Sequence, residues 1–292
     1  PTEKRMNPSP EWNHYRVECN NGSISLAVNG KVVTRGGACA PRRGFICLES
    51  EGSEVHFRNL RIKRLPDSGT ITPQESANDA ESAAGFRCLY NGVNLDGWKA
   101  ADDVAGHWTP QDWRLTFDGK GGDLWSEKSY RDFELIADWR FTAKPKTVER
   151  PIILPSGANA LNDDGSPKVV SVADAGDSGI YLRGSSKSQV NIWCWPIGSG
   201  EVYGYRTDPG MPEAVRASAT PRKAADRPIG QWNRFHITMR GDRLTVVLNG
   251  ETVIENAQLP GVAAEGPIAL QNHGDPVEFA NIFIRELPPA AP

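Results

Sequence analysis

The feature that most constrains this 292-residue chain is an internal repeat at a nearly constant offset. Because order and spacing hold over about 55 residues, we interpret the two stretches as copies of one folding unit. Four pairs of segments match in the same order: 11–17 (EWNHYRV) with 231–237 (QWNRFHI), 26–33 (LAVNGKVV) with 246–253 (VVLNGETV), 44–48 (GFICL) with 266–270 (GPIAL), and 55–62 (VHFRNLRI) with 277–284 (VEFANIFI).

The repeat predicts an asymmetric domain organisation. The second copy ends a longer segment that begins near Gly85, whereas the first copy has no such segment before it. We therefore expect residues 1–65 to be the truncated C-terminal half of a first domain and residues 85–287 to be a complete domain. The polar residues 66–84 are predicted to be a linker, and residues 288–292 a tail. On this interpretation the chain is a fragment of a longer tandem protein, with a neighbouring domain as a partner.

Strand patterns dominate the complete copy. Residues 133–141 (FELIADWRF) alternate apolar and polar positions, and residues 179–183 and 189–195 do the same. The Asn249-Gly250 pair between two apolar runs is a strong hairpin signal, and the chain holds 29 glycines and 22 prolines. Residues 142–175 break this pattern and are predicted to be a long surface insertion. The pattern predicts an all-β protein, a β-sandwich or jelly roll.

The composition of the chain argues against several classes of function. The net charge is −3, from 33 basic and 36 acidic residues, which argues against nucleic acid as a partner. No apolar run reaches the roughly 18–20 residues of a membrane span. Five cysteines without a CxxC pair argue against a structural zinc site. The paired strand carboxylates of retaining β-glucanases are absent, as are P-loop and GxSxG motifs.

Several separated motifs of the second copy resemble one known family, the 3-keto-disaccharide hydrolase domain. This family is also described as 3-keto-α-glucoside 1,2-lyase/3-keto-2-hydroxy-glucal hydratase, and was formerly a domain of unknown function. The resemblance implies a concanavalin-like jelly-roll β-sandwich with carbohydrate on its concave sheet. The motifs that carry it are 86–98 (FRCLYNGVNLDGW), 176–184 (GDSGIYLRG), 232–233 (WN), 270–274 (LQNHG) and 277–282 (VEFANI).

The resemblance also implies a function and a location. A 3-keto glycoside has an acidic C2 hydrogen, so that proton abstraction, elimination at C1 and hydration together cleave the glycosidic bond. Many relatives carry a YEVQI strand, and here residues 188–192 read SQVNI, so that an amide, Gln189, replaces a carboxylate. A non-catalytic, lectin-like carbohydrate-binding module is therefore the alternative. The family resemblance suggests a periplasmic or extracellular protein.

Three residues are candidates for the catalytic chemistry. His273 follows a strand, and histidine is the residue type whose ordinary proton exchange falls near neutral pH, which suits a base or an acid. Arg183 is predicted to share a face with Tyr181 and to stabilise an oxyanion or bind sugar hydroxyls. Glu134 alternates onto the face of its strand that points away from the core, as an acid, a base or a metal ligand.

A second group is predicted to bind the sugar. Planar amides bond paired hydroxyls, and an indole ring stacks on the apolar face of a pyranose. The candidates are Tyr181, Gln189, Asn191, Trp193, Tyr203 and Gln271. No cofactor is certain from the sequence; a divalent metal remains an open alternative with unknown ligands. The expected partner is a saccharide or a 3-keto glycoside.

Overall fold

The computed structural model describes residues 1–20, 23–37, 45–63, 65, 84–90, 94–99, 101–111 and 114–288. The chain divides into two compact units, residues 1–76 and 77–292. Within the described ranges, no helix has the length and apolar character needed to cross a membrane. The predicted linker 66–84 lies outside the described residues except for Ala84, and the predicted tail does so except for Pro288.

The first unit contains one small antiparallel sheet. Its strands are β1 (Tyr15–Asn20), β2 (Ser23–Val28) and β3 (Lys31–Gly36), in that spatial order. Residues 45–63, which correspond to the last two strands of the second copy, are described without any strand. Their apolar side chains are exposed, among them Phe45, Ile46 and Ile62.

The second unit is built on two main antiparallel sheets, and we call the one with more strands the larger sheet. Its strands are β4 (Arg87–Cys88), β5 (Trp108–Gln111), β6 (Arg114–Phe117), β8 (Phe133–Phe141), β13 (Asn233–Arg240), β14 (Arg243–Leu248), β15 (Glu251–Gln258) and β17 (Val277–Glu286). Their spatial order is β15-β14-β13-β8-β17-β6-β5, and β4 pairs with β17 outside this order.

The smaller sheet has the order β12-β11-β16-β7. Its strands are β7 (Leu124–Tyr130), β11 (Asp177–Leu182), β12 (Ser185–Trp193) and β16 (Gly266–Leu270). The predicted insertion folds as a two-stranded arm of β9 (Lys146–Pro151) and β10 (Val169–Asp174). Two short helices, α1 (Tyr203–Arg206) and α2 (Glu213–Ser218), follow β12.

Strand alternation produces the core of the second unit. The odd-numbered positions of β8, from Phe133 to Phe141, are buried, as are Ile180 and Leu182 of β11 and Ile268 and Leu270 of β16. All belong to one apolar cluster to which strands of both sheets contribute. Two sheets with a shared apolar interior form a β-sandwich, so the predicted fold class is confirmed.

Asparagine hydrogen bonds define the hairpin of the first copy. Asn29 lies between β2 and β3 with φ 48°, a left-handed conformation that asparagine tolerates. Its side chain accepts a hydrogen bond from His14 N (2.9 Å) and donates to Asn13 Oδ1 (2.9 Å) and to Arg5 O (2.7 Å). The turn is therefore tied to the chain that precedes β1.

The second copy repeats this network with every partner displaced by 220 positions. Asn249 has φ 53°; its side chain accepts from Arg234 N (2.9 Å) and donates to Asn233 Oδ1 (2.8 Å) and to Ala225 O (2.8 Å). The register shift between β2 and β3 at residues 26 and 27 also recurs between β14 and β15 at residues 246 and 247. The repeated sequence therefore encodes a repeated local structure.

Replacing Asn249 tests how much this network stabilises the second unit. We expect Asn249→Ala to lower the free energy of unfolding by about 2–3 kcal/mol, because three side-chain hydrogen bonds of about 1 kcal/mol each are lost. Urea unfolding at neutral pH measures the change. Asn256→Ala is the matched control, since Asn256 also has a positive φ (49°) but is exposed and contributes backbone groups to its hydrogen bonds. Equal losses in the two variants would contradict the prediction.

Candidate functional site

Polar and aromatic side chains line the face of the smaller sheet that points away from the core, which we call the outer polar face. Since Ile180 and Leu182 are in the core, Asp177, Gly179 and Tyr181 of β11 point outward. On β12, Gln189 and Asn191 lie opposite Tyr181 and Gly179. The predicted residues that meet here are Tyr181, Gln189, Asn191, Trp193 and Gln271.

Two amides and a phenol form a chain of hydrogen bonds across this face. Gln189 Nε2 donates to Gln271 Oε1 over 2.5 Å, and Gln271 also hydrogen-bonds the Tyr181 side chain. The Gln189 side chain crosses directly over Gly179, where a Cβ would lie 2.2 Å from Nε2. Glycine at 179 is therefore what allows the two amides to meet.

Burial has the largest effect on the pKa of the Tyr181 hydroxyl, and its hydrogen bond with the Gln271 side chain acts on the pKa in the opposite direction. Burial raises the pKa of Tyr181 to about 12, so its proton stays in place at neutral pH. The ring packs against Trp125 with a centroid distance of 5.7 Å, which fixes its position.

Asp177 and His273 lie at the end of the outer polar face. Burial raises the pKa of Asp177 to about 6; His273 opposes this shift, while the carboxylates of Asp275 and Asp174 add to it. Asp275 also accepts a hydrogen bond from the Asp177 backbone N–H over 2.9 Å. A carboxyl group that titrates near pH 6 can accept a proton at neutral pH and return it.

Beside Asn191 lies a buried ion pair. The chain after β12 runs back along that strand, with hydrogen bonds from Asn191 N to Glu201 O and from Gly200 N to Asn191 O. Glu201 is fully buried and forms an ion pair with Arg206 of α1. Arg206 in turn donates to Gly157 O, at the tip of the arm, over 3.1 Å. The arm is thereby fixed next to this edge of the smaller sheet.

The aromatic side chains at this edge are stacked on one another. Trp193 and Trp195 are parallel, with centroids 4.2 Å apart, and Tyr203 meets Trp193 edge-on at 6.2 Å. Trp193 is only 3% exposed and donates from Nε1 to Gly198 O, whereas Tyr203 is 45% exposed. Trp193 therefore supports the surface, and Tyr203 is more accessible to a ligand.

Arg183 does not share the outer polar face. The strand alternation ends before it, because Arg183 has φ 52° in the turn between β11 and β12. Its side chain is 2% exposed, forms an ion pair with Asp132 (3.0 Å), and donates to the carbonyls of Arg131, Gly241 and Ala263. The predicted placement beside Tyr181 is thus corrected, and the guanidinium connects loops of the sandwich.

Glu134 also lies away from the outer polar face. It belongs to β8, where the side chains of Phe133 and Leu135 on either side of it are in the core, so it points outward from the larger sheet. Its carboxylate contacts Arg285 (2.7 Å) and His236 (3.1 Å). Glu134 and the outer polar face are on opposite sides of the sandwich.

Sequence reasoning did not select Asp177, although strand alternation could have found it. Residues 177, 179 and 181 are spaced by two, so any strand that presents Tyr181 outward presents Asp177 on the same face. Trp125 and Glu201 gave no comparable signal, because their positions depend on the pairing of β7 with β16 and on the chain that follows β12.

The described residues include no group of three or more His, Cys, Asp or Glu side chains arranged to hold a metal ion. No metal ligands are therefore assigned in this part of the chain.

The outer polar face brings amides, aromatic rings and titratable groups together on one side of an antiparallel β-sandwich. The sequence model of the 3-keto-alpha-glucoside-1,2-lyase-like domain matches residues 1–63 and 85–285. The chain belongs to this family.

The individual relatives and solved structures have low sequence identity to this chain. A 3-keto-disaccharide hydrolase of Bacteroides thetaiotaomicron is 23% identical, in an alignment that covers 70% of this chain and 79% of the relative. A Parabacteroides distasonis crystal structure, provisionally described as a glycosyl hydrolase, has 18% identity and a TM-score of 0.48, over 72% of this chain and 97% of that one. The carbohydrate binding module CBM66 of Bacillus subtilis has 16% identity and a TM-score of 0.40, with coverages of 65% and 96%.

The position of Arg183 predicts a loss of stability when its side chain is removed. We expect Arg183→Ala to lower the free energy of unfolding by about 3–5 kcal/mol, because Asp132 is left buried without its cation. Guanidinium unfolding measures this change, with Arg240→Ala as the control, since Arg240 is exposed. A loss below about 1 kcal/mol, the range of surface ion pairs, would contradict the assignment.

The raised pKa of Asp177 predicts a specific pH dependence of stability. Because the folded protein holds this proton more tightly than the unfolded chain, the contribution is fully present below the ordinary pKa of 3.8. It is lost as the pH rises through about 6. We therefore expect Asp177→Asn to become more stable relative to the wild type between pH 4 and pH 7, as measured by thermal unfolding. A stability difference that does not change with pH would contradict the shift.

Proposed function

We propose that the second unit cleaves glycosides, with 3-keto glycosides as the substrate class, by proton abstraction, elimination and hydration. The observation that carries this proposal is the outward-facing Asp177, a carboxyl with a pKa of about 6, beside His273 and on the same strand face as Tyr181. Family membership and the named activity of the Bacteroides relative support the same substrate class.

The first step removes the C2 proton, which the neighbouring 3-ketone acidifies. Asp177 is the base in this proposal, since a carboxylate with a pKa near 6 is ionised at neutral pH and still basic enough to bind the proton. The negative charge passes to the ketone oxygen as an enolate. A fixed O–H donor lowers the energy of that charge, and the Tyr181 hydroxyl supplies one.

The second step expels the group at C1. The enolate re-forms the ketone, the C1–O bond breaks, and the departing oxygen needs a proton. His273 is exposed next to Asp177 and serves as this acid. Water then adds across the C1–C2 double bond of the enone, so that the overall result is hydrolysis of the glycoside.

Asp177 and Tyr181 lie on the same face of β11, four residues apart. Between them Gly179 has no side chain, and the planar amide of Gln189 lies directly over the Gly179 backbone. In this proposal the amide groups around Gly179 bind sugar hydroxyls, and the exposed Tyr203 ring packs against the apolar ring face.

Kinetics with 4-nitrophenyl 3-keto-α-glucoside test the proposal through release of nitrophenol. We expect Asp177→Asn and His273→Ala each to lower kcat/KM by roughly 100-fold or more. Tyr181→Phe should lower it by about 10–100-fold. Glu255→Gln, at an exposed position of β15, is the control and should leave kcat/KM unchanged.

Further measurements decide between an enzyme and a binding module. The corresponding glucoside without the ketone should not be cleaved, because its C2 proton is not acidic. A plot of kcat/KM against pH should rise with an apparent pKa near 6, that of Asp177. Saturable binding of the keto glucoside without any nitrophenol release would select the lectin-like alternative, in which the Gln189–Gln271 amide pair only binds sugar.

We also propose a periplasmic or extracellular location, because the chain belongs to this family. The curated relative is bacterial, which is consistent with such a location.

A further inference from the structure

The small sheet of the first unit exposes side chains whose counterparts form the core of the second unit. Tyr15 and Val17 of β1 are 59% and 56% exposed, whereas the residues 220 positions later, Phe235 and Ile237, are fully buried. Ile24 of β2 lies on the same face of the sheet and is also exposed. We call the surface formed by Tyr15, Val17 and Ile24 the β1–β2 apolar face. An exposed apolar surface of this kind marks a site of interaction with another molecule.

The edge of β1 shows the same contrast between the two copies. Among the described residues β1 pairs with β2 alone, so backbone groups along its other edge face no strand. Its counterpart β13 pairs with β14 on one edge and with β8 on the other. The described parts of residues 1–63 contain no strand that corresponds to β8. The repeat therefore indicates which kind of element fits this edge, an antiparallel strand that resembles β8.

The register of β8 on β13 defines the apolar side chains of such a strand. Leu135 lies opposite Ile237 and Ala137 lies opposite Phe235, and all four residues belong to the apolar core. In the first unit, a strand in the equivalent register would place apolar residues opposite the two β1 residues of the β1–β2 apolar face. Because those two residues are spaced by two, the incoming strand must alternate apolar with polar residues.

Charge on the other face of β1 adds a second requirement. In the second unit, Arg234 and His236 of β13 contact carboxylates of β8 over 2.6 Å and 3.1 Å. The corresponding residues of the first unit are His14 and Arg16, and both are exposed. Arg16 forms an ion pair with Glu18 on the surface at 3.1 Å, which stabilises little and can be exchanged for another carboxylate. Acidic residues at the polar positions of the incoming strand therefore complement β1.

We propose that the free edge of β1 binds an extended segment of another polypeptide as an added antiparallel β-strand. Backbone hydrogen bonds join the segment to β1, its apolar residues extend the β1–β2 apolar face, and its carboxylates face Arg16 and His14. This inference is independent of the reaction at Asp177, because it concerns the other unit of the chain.

Fluorescence anisotropy with the full chain tests the proposal. The probe is a fluorescein-labelled peptide of residues 133–141 (FELIADWRF) with two added lysines at each end for solubility. The control peptide has the same composition in an order without alternation. We expect saturable binding of the first peptide, about tenfold tighter than that of the control, because only the alternating order places the apolar side chains on one face.

Two substitutions locate the peptide on β1. Val17→Asp places a charge on the β1–β2 apolar face, and Arg16→Glu opposes the carboxylates of the peptide; each should weaken binding about fivefold or more. Val169→Asp and Arg222→Glu are the matched controls, since one is an exposed valine of β10 and the other an exposed, ion-paired arginine. Both controls should bind the peptide as the wild type does. Arg16→Glu should have no effect on a peptide whose two carboxylates are replaced by amides.

The comparison of the two peptides on the wild-type chain needs no variant to fold. The proposal is overturned by an absence of saturable binding, by equal affinities for the two peptides, or by binding that Val17→Asp and Arg16→Glu both leave unchanged. Sedimentation equilibrium without peptide examines a different occupant. A dimer of the wild-type chain that Val17→Asp converts to a monomer would assign the β1–β2 apolar face to a second copy and would also overturn the proposal. The kinetics of the Asp177 variants are unaffected by any of these results.

Discussion

One face of the smaller sheet packs against the apolar core, and this packing determines which side chains lie on the other face. Ile180, Val190 and Ile268 are fully buried, and a side-chain period of two then fixes their neighbours outward. A shift of one residue in the register of β11 would bury Asp177 and Tyr181 and expose Ile180 and Leu182. The hydrophobic core thus maintains the position of each polar group on the outer polar face, although none of those groups contributes much apolar area to it.

The same principle explains which features of the fold and of the candidate site could be predicted from the sequence. Alternation in residues 133–141 and 189–193 predicted two faces correctly, because period-two patterns report burial directly. It failed at Arg183, where a positive φ in a hairpin turn redirects the side chain toward Asp132. Glu134 was correctly predicted to point away from the core, but alternation within one strand cannot tell which sheet, and hence which side of the sandwich, an outward residue belongs to. The hydrogen bonds between Gln189 and Gln271 required the order of β12, β11 and β16, which no local pattern contains.

The two copies of the repeat differ in which strands form, and the pairing partners explain the difference. β13, β14 and β15 are joined by short turns, and their counterparts β1, β2 and β3 pair in the same way. In the second unit β16 pairs with β7 and β11, and β17 pairs with β6 and β8, all from its first part. Among the described residues of 1–63, no strand corresponds to those four, and residues 45–63 are described without a strand.

The asparagine network at the β2–β3 turn has a consequence for how such domains diversify. Every hydrogen-bond partner of the Asn29 side chain lies within 24 positions of it in the sequence. The turn between β2 and β3 is therefore held by residues of the three-stranded unit and of the chain just before it. The matching hydrogen bonds around Asn249 give the meander of β13, β14 and β15 the same local shape. Recombination between related genes at the start of this meander would exchange β7, β11 and β12 without disturbing the meander that follows them.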